Sequence, residues 1–197
     1  MEGSVIKQTP SQMKRNLLIP FFALLVSVLL FSCVKDTDFS QAENITLTPV
    51  VELDLIFFNL EASAFYDAIA DTSILTVRDT TEIRFLDDSG TQESLKRAEF
   101  LFNFTNSIPR TFEVTFQFLD EMDVETYAAS TSVAAGTELA PVLTQFIENV
   151  EGEDITQLTL ANKVIVSVTI PSSDENLQGL LNLQSKTTYY LEIKERS

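Results

Sequence analysis

Apolar and polar residues alternate with a period of two along most of this chain, the pattern of strands that keep one face in a core and turn the other to water. Val51, Leu53, Leu55 and Phe57 share one parity while Glu52 and Asp54 hold the other. Ile56 and Phe58 add apolar positions on that second parity, which predicts a strand covered on both sides at its far end. Ala62 to Asp71 reads as either a short helix or an ordered loop. From Ile74 to Leu86, Leu75, Val77, Ile83 and Phe85 keep one parity that Asp79 and Thr81 interrupt, so a bulge is expected near Arg78 to Thr80. Asp87-Asp88-Ser89-Gly90 supplies turn chemistry.

The strongest alternation follows. Phe100, Phe102 and Phe104, then Phe112, Val114, Phe116 and Phe118, flank an interruption at Asn106-Ser107-Ile108-Pro109, and this spacing predicts two amphipathic strands joined as a hairpin. Residues 137–150 fit both a helical stripe (Leu139, Val142, Leu143, Phe146, Ile147, Val150) and a strand (Val142, Thr144, Phe146), with a sandwich context leaning toward strand. Asp154, Ile155, Leu158 and Ala161 predict one or two helical turns capped by Asp154. Val164, Val166, Val168 and Ile170 form a strand ended by Pro171, and Tyr189, Leu191 and Ile193 a last one. Short strands, few helices and no long βαβ spacing predict an all-β fold over residues 47–197: an antiparallel β-sandwich, immunoglobulin-like or related, with one or two short helices. Neither the tryptophan nor the cysteine pair of immunoglobulin domains is present.

The N-terminus follows a different pattern. Lys14 and Arg15 precede an apolar run from Leu17 to Phe31, and Leu30-Phe31-Ser32-Cys33 closes it, so residues 1–32 read as a cleaved secretory signal, with 1–12 a possible stretch upstream of the true start. A spanning helix needs about 20 apolar residues, more than this run supplies. The tetrapeptide resembles the bacterial lipobox, although Phe31 stands where a smaller residue is usual. That resemblance implies acylation of the Cys33 thiol, cleavage before it, and attachment by two or three acyl chains. Lys35, Asp36 and Asp38, with Thr37 between the acids, resemble the export signal of Bacteroidetes-type surface lipoproteins. The implied destination is the bacterial outer membrane, on the cell surface. Residues 33–46 then form a lipidated flexible tether.

Loss of residues 1–32 removes Lys7, Lys14, Arg15 and Glu2, leaving 10 basic against 28 acidic side chains, a formal charge of −18. Such a surface repels phosphate, so nucleic acid is not an expected partner. Cys33 is the only cysteine, so no disulfide staples the domain.

Candidate chemistry is narrow. The chain has no histidine, which removes imidazole-dependent triads and most zinc sites. Paired acids such as Asp120 with Asp123, or Glu121 with Glu125, leave a carboxylate-dependent glycan hydrolase as the alternative to a noncatalytic module. Calcium, a hard cation that takes oxygen ligands from loops, is the one cofactor considered, at Asp120, Asp123 and Glu125 or at Glu151, Glu153 and Asp154 around Gly152. Neither segment has EF-hand spacing. Asp79-Thr80-Thr81 resembles the acceptor motif of Bacteroidetes-type O-glycosylation, which implies Thr80 as acceptor. The principal expectation is a binding or accessory module whose partner is an outer-membrane protein or a glycan. Exposed Tyr127, Tyr190 or Phe58 would mark such a module, and convergent buried acids a hydrolase.

Overall fold

A computed structural model describes residues 46–194. Its strands are β1 (Thr46–Leu47), β2 (Val50–Glu61), β3 (Tyr66–Asp67), β4 (Thr72–Ser73), β5 (Thr76–Glu82), β6 (Leu95–Asn106), β7 (Phe112–Leu119), β8 (Glu125–Val133), β9 (Val142–Glu151), β10 (Lys163–Thr169), β11 (Leu180–Leu191) and β12 (Ile193–Lys194). Two short helices, α1 (Ser89–Ser94) and α2 (Glu153–Leu158), lie between them. The strands build two four-stranded antiparallel sheets, β5-β10-β7-β8 and β2-β11-β6-β9. The eight long strands are divided between the sheets in the order of a jelly roll, two Greek keys wound together. The expected antiparallel sandwich is present, and of the two options left open the wiring is a related fold rather than the immunoglobulin order.

The phenylalanine runs do not form a hairpin. β6 and β7 belong to different sheets, and residues 107–111 carry the chain across the core as an arch. Both strands still point their phenylalanines inward, so the rings meet face to face: Phe102 and Phe116 stack at 3.9 Å between centroids, and Phe100 meets Phe118 at 5.1 Å. Each is essentially fully buried. Phe65, from a 3-10 turn at Ala62–Phe65, plugs one end against Phe112 at 5.5 Å, and Tyr189 stacks on Phe85 near the other at 4.5 Å.

Other expectations fail for local reasons. β5 pairs with β10 in unbroken register, so there is no bulge at Arg78–Thr80; the polar residues there reflect an exposed edge strand. A bulge lies in β2 instead, where Leu55 and Ile56 together oppose Ser185 of β11. The Ser185 hydroxyl accepts from the Ile56 amide and donates to the Ile56 carbonyl, both at 2.9 Å, which satisfies the backbone that the ladder leaves. Beyond it the parity inverts: Ile56, Phe58 and Leu60 turn inward and Phe57 turns out, 64% exposed. Residues 142–151 form a strand, β9, the option that the sandwich context favours. Gly152 at φ 65°, not Asp154, caps α2, and Asp154 sits in its first turn. The segment 62–73 is the 3-10 turn followed by the small β3–β4 pair.

Candidate functional site

Strand direction sorts the connections to two ends. Residues 62–75, 107–111, 134–141 and 170–179 gather at one end of the sandwich. The chain enters at the other, where β1 pairs with β12 and the Leu191 amide donates to the Pro49 carbonyl at 3.0 Å. Twelve-residue β2 sets the two ends about 40 Å apart.

Asn106, fully buried at the end of β6, ties two of these loops together. Its Nδ2 donates to the carbonyls of Arg110 and Ala134 at 2.9 and 2.8 Å, and its Oδ1 accepts from the Ile108 amide at 2.8 Å. Two glycines permit the close approach of the loops. A Cβ on Gly136 would lie 1.9 Å from the Asn106 carbonyl oxygen; one on Gly179, at φ 115°, would lie 2.6 Å from that of Ser107. The Ser107 amide and hydroxyl both donate to the Leu180 carbonyl.

This framework holds two adjoining grooves. One, of 460 Å³, runs between Glu61, Ser63, Ser107, Glu138 and Gln178; the second, of 430 Å³, shares Ser107, Glu138 and Gln178 and adds Arg110, Asp174 and Asn176. Arg110 is held by Asp174 at 3.6 Å and by the Ser172 hydroxyl at 3.3 Å. Thr137 and Ala140 exchange backbone bonds at 3.1 Å, which leaves Glu138 and Leu139 at a tight tip, Leu139 wholly exposed. In the β3–β4 turn, Asp67 sits below the usual carboxylate range because its carboxylate accepts the Ala70 and Ile69 amides. The Tyr66 hydroxyl donates to Asp71 and is pushed up to about 12.

The residues marked by sequence fall elsewhere. Cys33, Lys35, Asp36 and Asp38 lie outside the described residues. The calcium set is not assembled. Asp120 folds back on the Met122 and Val124 amides at 2.8 and 2.9 Å, Asp123 pairs with Lys163, and Glu125 accepts from Gln117 at 2.8 Å. Glu153 and Asp154 sit in the first turn of α2, where acids suit the helix dipole. Among the described residues no group of three His, Cys, Asp or Glu is arranged to hold a metal. Asp120 with Asp123 and Glu121 with Glu125 share one turn at the chain-entry end, away from the grooves. Thr80 is exposed in the edge strand β5, and its amide donates to Asp79 at 2.8 Å. Tyr127 is half-buried against Phe118 and donates to Glu148, Tyr190 lies beneath Arg97 at 3.8 Å, and Phe58 packs on the core. Phe57 is the exposed aromatic instead.

No protein-family model matches the chain, and no curated protein does. Among solved structures, VP2 of the infectious bursal disease virus subviral particle superposes with a TM-score of 0.45, at 9% identity over 73% of this chain and 32% of that one. A protein of Parabacteroides distasonis described as secreted gives 0.43, at 15% identity over 62% of this chain and 38% of that one. Dimeric latent PorU from Porphyromonas gingivalis gives 0.37, at 10% identity over 79% and 14%. The chain spans less than two fifths of each of these proteins, and likenesses at this level say nothing of what it does. No helix among the described residues is long and apolar enough to cross a membrane.

Proposed function

We propose that this protein is a lipid-anchored, noncatalytic binding or accessory module of the bacterial outer membrane, acylated at Cys33 and carried to the cell surface by Lys35, Asp36 and Asp38, which meets an outer-membrane protein with its four-loop end. The observation that supports this reading is the polarity of the sandwich. Its chain enters at Thr46, about 40 Å from the loops that Asn106 locks together. An anchor at Cys33 reached through that entry leaves the loop end free to face away from the bilayer, and a rigid framework lowers the ordering cost of binding there. Leu139, wholly exposed on a tight tip beside two grooves, is the anchor side chain such a contact uses.

A photo-crosslinking residue placed at Leu139 in living cells is expected to give one discrete protein adduct, and the same residue at Met122, in the turn at the entry end, none. Equal labelling at both positions, or no adduct from Leu139, rejects the loop end as the contact. Mass spectrometry of the purified protein tests the anchor: the expected mass is that of the chain from Cys33 carrying two or three acyl groups.

A glycan hydrolase is the second reading, favoured by one observation: Glu61 and Glu138 line the same groove. Release of reducing sugar that Glu138→Gln abolishes would replace the first reading with this one.

A further inference from the structure

The outer face of the sheet β2-β11-β6-β9 carries a tract unlike the rest of this acidic surface. Because alternate residues of each strand point to one side, the register places Phe57, Gln184, Asn103 and Gln145 in one row across all four strands. Asn59, Asn182, Thr105 and Leu143 form the row beside it. At the usual spacing of strands each row is about 14 Å long. Five of these eight side chains are amides, and none is charged. The amides bond in pairs: Gln145 Nε2 donates to Asn103 Oδ1 at 3.0 Å and Asn182 Nδ2 to Asn59 Oδ1 at 2.9 Å. Each amide carries two N–H donors and a carbonyl acceptor, so every pair keeps donors and an acceptor for something else, and Gln184 keeps all of its own. The β2 bulge turns Phe57 out beside them, and a depression of 340 Å³ opens there between Asp54, Phe57, Gln184 and Ser185.

Of the cations in this sheet Lys186 and Arg97 are engaged, while the exposed Lys96 lies at the entry end of β6, seven residues before Asn103. Lys186 pairs with Glu52 at 3.2 Å, and Arg97 lies 3.5 Å from Glu99 while covering Tyr190. An anionic ligand therefore finds no free positive charge here, only Asp54 and Glu52. An apolar protein surface laid on the rows would strand the free amide donors and acceptors, each buried without a partner at a cost that opposes binding. A molecule that matches the tract is uncharged, dense in groups that both donate and accept, and offers a flat C–H face to an aromatic ring. Pyranose sugars have these properties.

We propose that this face is a platform for a neutral glycan chain, with one sugar ring seated on Phe57 in the depression and the hydroxyls of adjoining sugars bonded along the amide rows. The role is separate from that of the loop end: it needs no groove residue, and its sugar contacts are noncatalytic. The test is affinity electrophoresis of the full-length protein in detergent, through gels cast with starch, β-glucan, xylan, mannan or polygalacturonate. Retardation is expected in at least one neutral gel and not in polygalacturonate. Phe57→Ala and Gln184→Ala should each weaken it tenfold or more, while Thr115→Ala on the outer face of the other sheet leaves it unchanged. Phe57 and Gln184 are exposed, so both variants should melt with the parent, and the melting temperature of each is measured beside its mobility. The proposal is overturned by free migration in every neutral gel, by retardation in polygalacturonate alone, or by retardation that survives in a folded Phe57→Ala variant. A protein adduct from a photo-crosslinker at Phe57, with no retardation by glycans, would assign the face to a protein instead.

Discussion

The two ends of the sandwich are built by different means. At the loop end one buried side chain, Asn106, bonds two neighbouring loops, and Gly136 and Gly179 let backbones approach to distances that no other residue allows. At the entry end side chains serve their own turns, and backbone bonds such as Ile83 amide to Asn162 carbonyl, 2.7 Å, join neighbours: Asp120 accepts amides of its own turn, Asp88 caps α1 through the Thr91 amide, and Gly152 stands in open space. The contrast teaches where sequence change is tolerated. Local turns absorb it one at a time, whereas the loop end should respond as a unit.

Phe116→Ala sets the scale, because the residue lies in the layer between the ends and stacks on Phe102; a loss of about 3–5 kcal/mol is expected in denaturant unfolding. Asn106→Ala removes partners from two carbonyls and one amide at once, and about 3 kcal/mol should go with them, against about 1 kcal/mol for Asp88→Ala. Hydrogen exchange should also tell them apart: Asn106→Ala deprotects the Ile108 and Gly136 amides together, while Asp88→Ala touches only α1. Gly136→Ala should approach about 3 kcal/mol, since its clash is with backbone, and Gly152→Ala about 1–2, since only its positive φ opposes a side chain.

An alkaline effect of comparable size lies near the entry end. Burial pushes the Tyr189 hydroxyl up to about 12, against about 10 in an unfolded chain. The folded state thus holds a proton that the unfolded state releases first, so this contribution is complete below pH 10 and lost as pH rises toward 12, about 2–3 kcal/mol in all. Tyr127 is pushed up too, so Tyr189→Phe should flatten the alkaline fall in melting temperature without abolishing it. The smallest effect separates two carboxylates. Asp67 is lowered by amides, and Glu192 by its hydrogen bond to Lys194 and that residue's charge. Both contributions are present above the ordinary carboxylate range and vanish as pH falls through the lowered values. In an NMR titration, molar salt should move the Glu192 midpoint back toward the usual range and leave that of Asp67 in place.

Much of the fold was legible because parity reports which way a side chain faces. Phe100, Phe102, Phe104, Phe112, Phe116 and Phe118 all point inward as their alternation requires. Parity is silent on which strand lies alongside, and an arch satisfies the same pattern as a hairpin, so the pattern predicts a hairpin where residues 107–111 form an arch. The β2 bulge was hidden by its composition: with Ile56, Phe57 and Phe58 all apolar, alternation loses its contrast where the register slips. The calcium candidates stay apart because acids near in sequence bond first to their own turn or to a single cation, as Asp120 and Asp123 do. The loop end left little trace in the sequence, since Asn106 reads as a turn residue until its partners at Arg110 and Ala134 come together.

The position of β11 bears on how the protein is made. It is the last of the eight long strands among the described residues, yet it lies between β2 and β6, so the sheet cannot close until it inserts. The core therefore stays unfinished, with β2 and β6 unjoined, until β11 has been made and inserted.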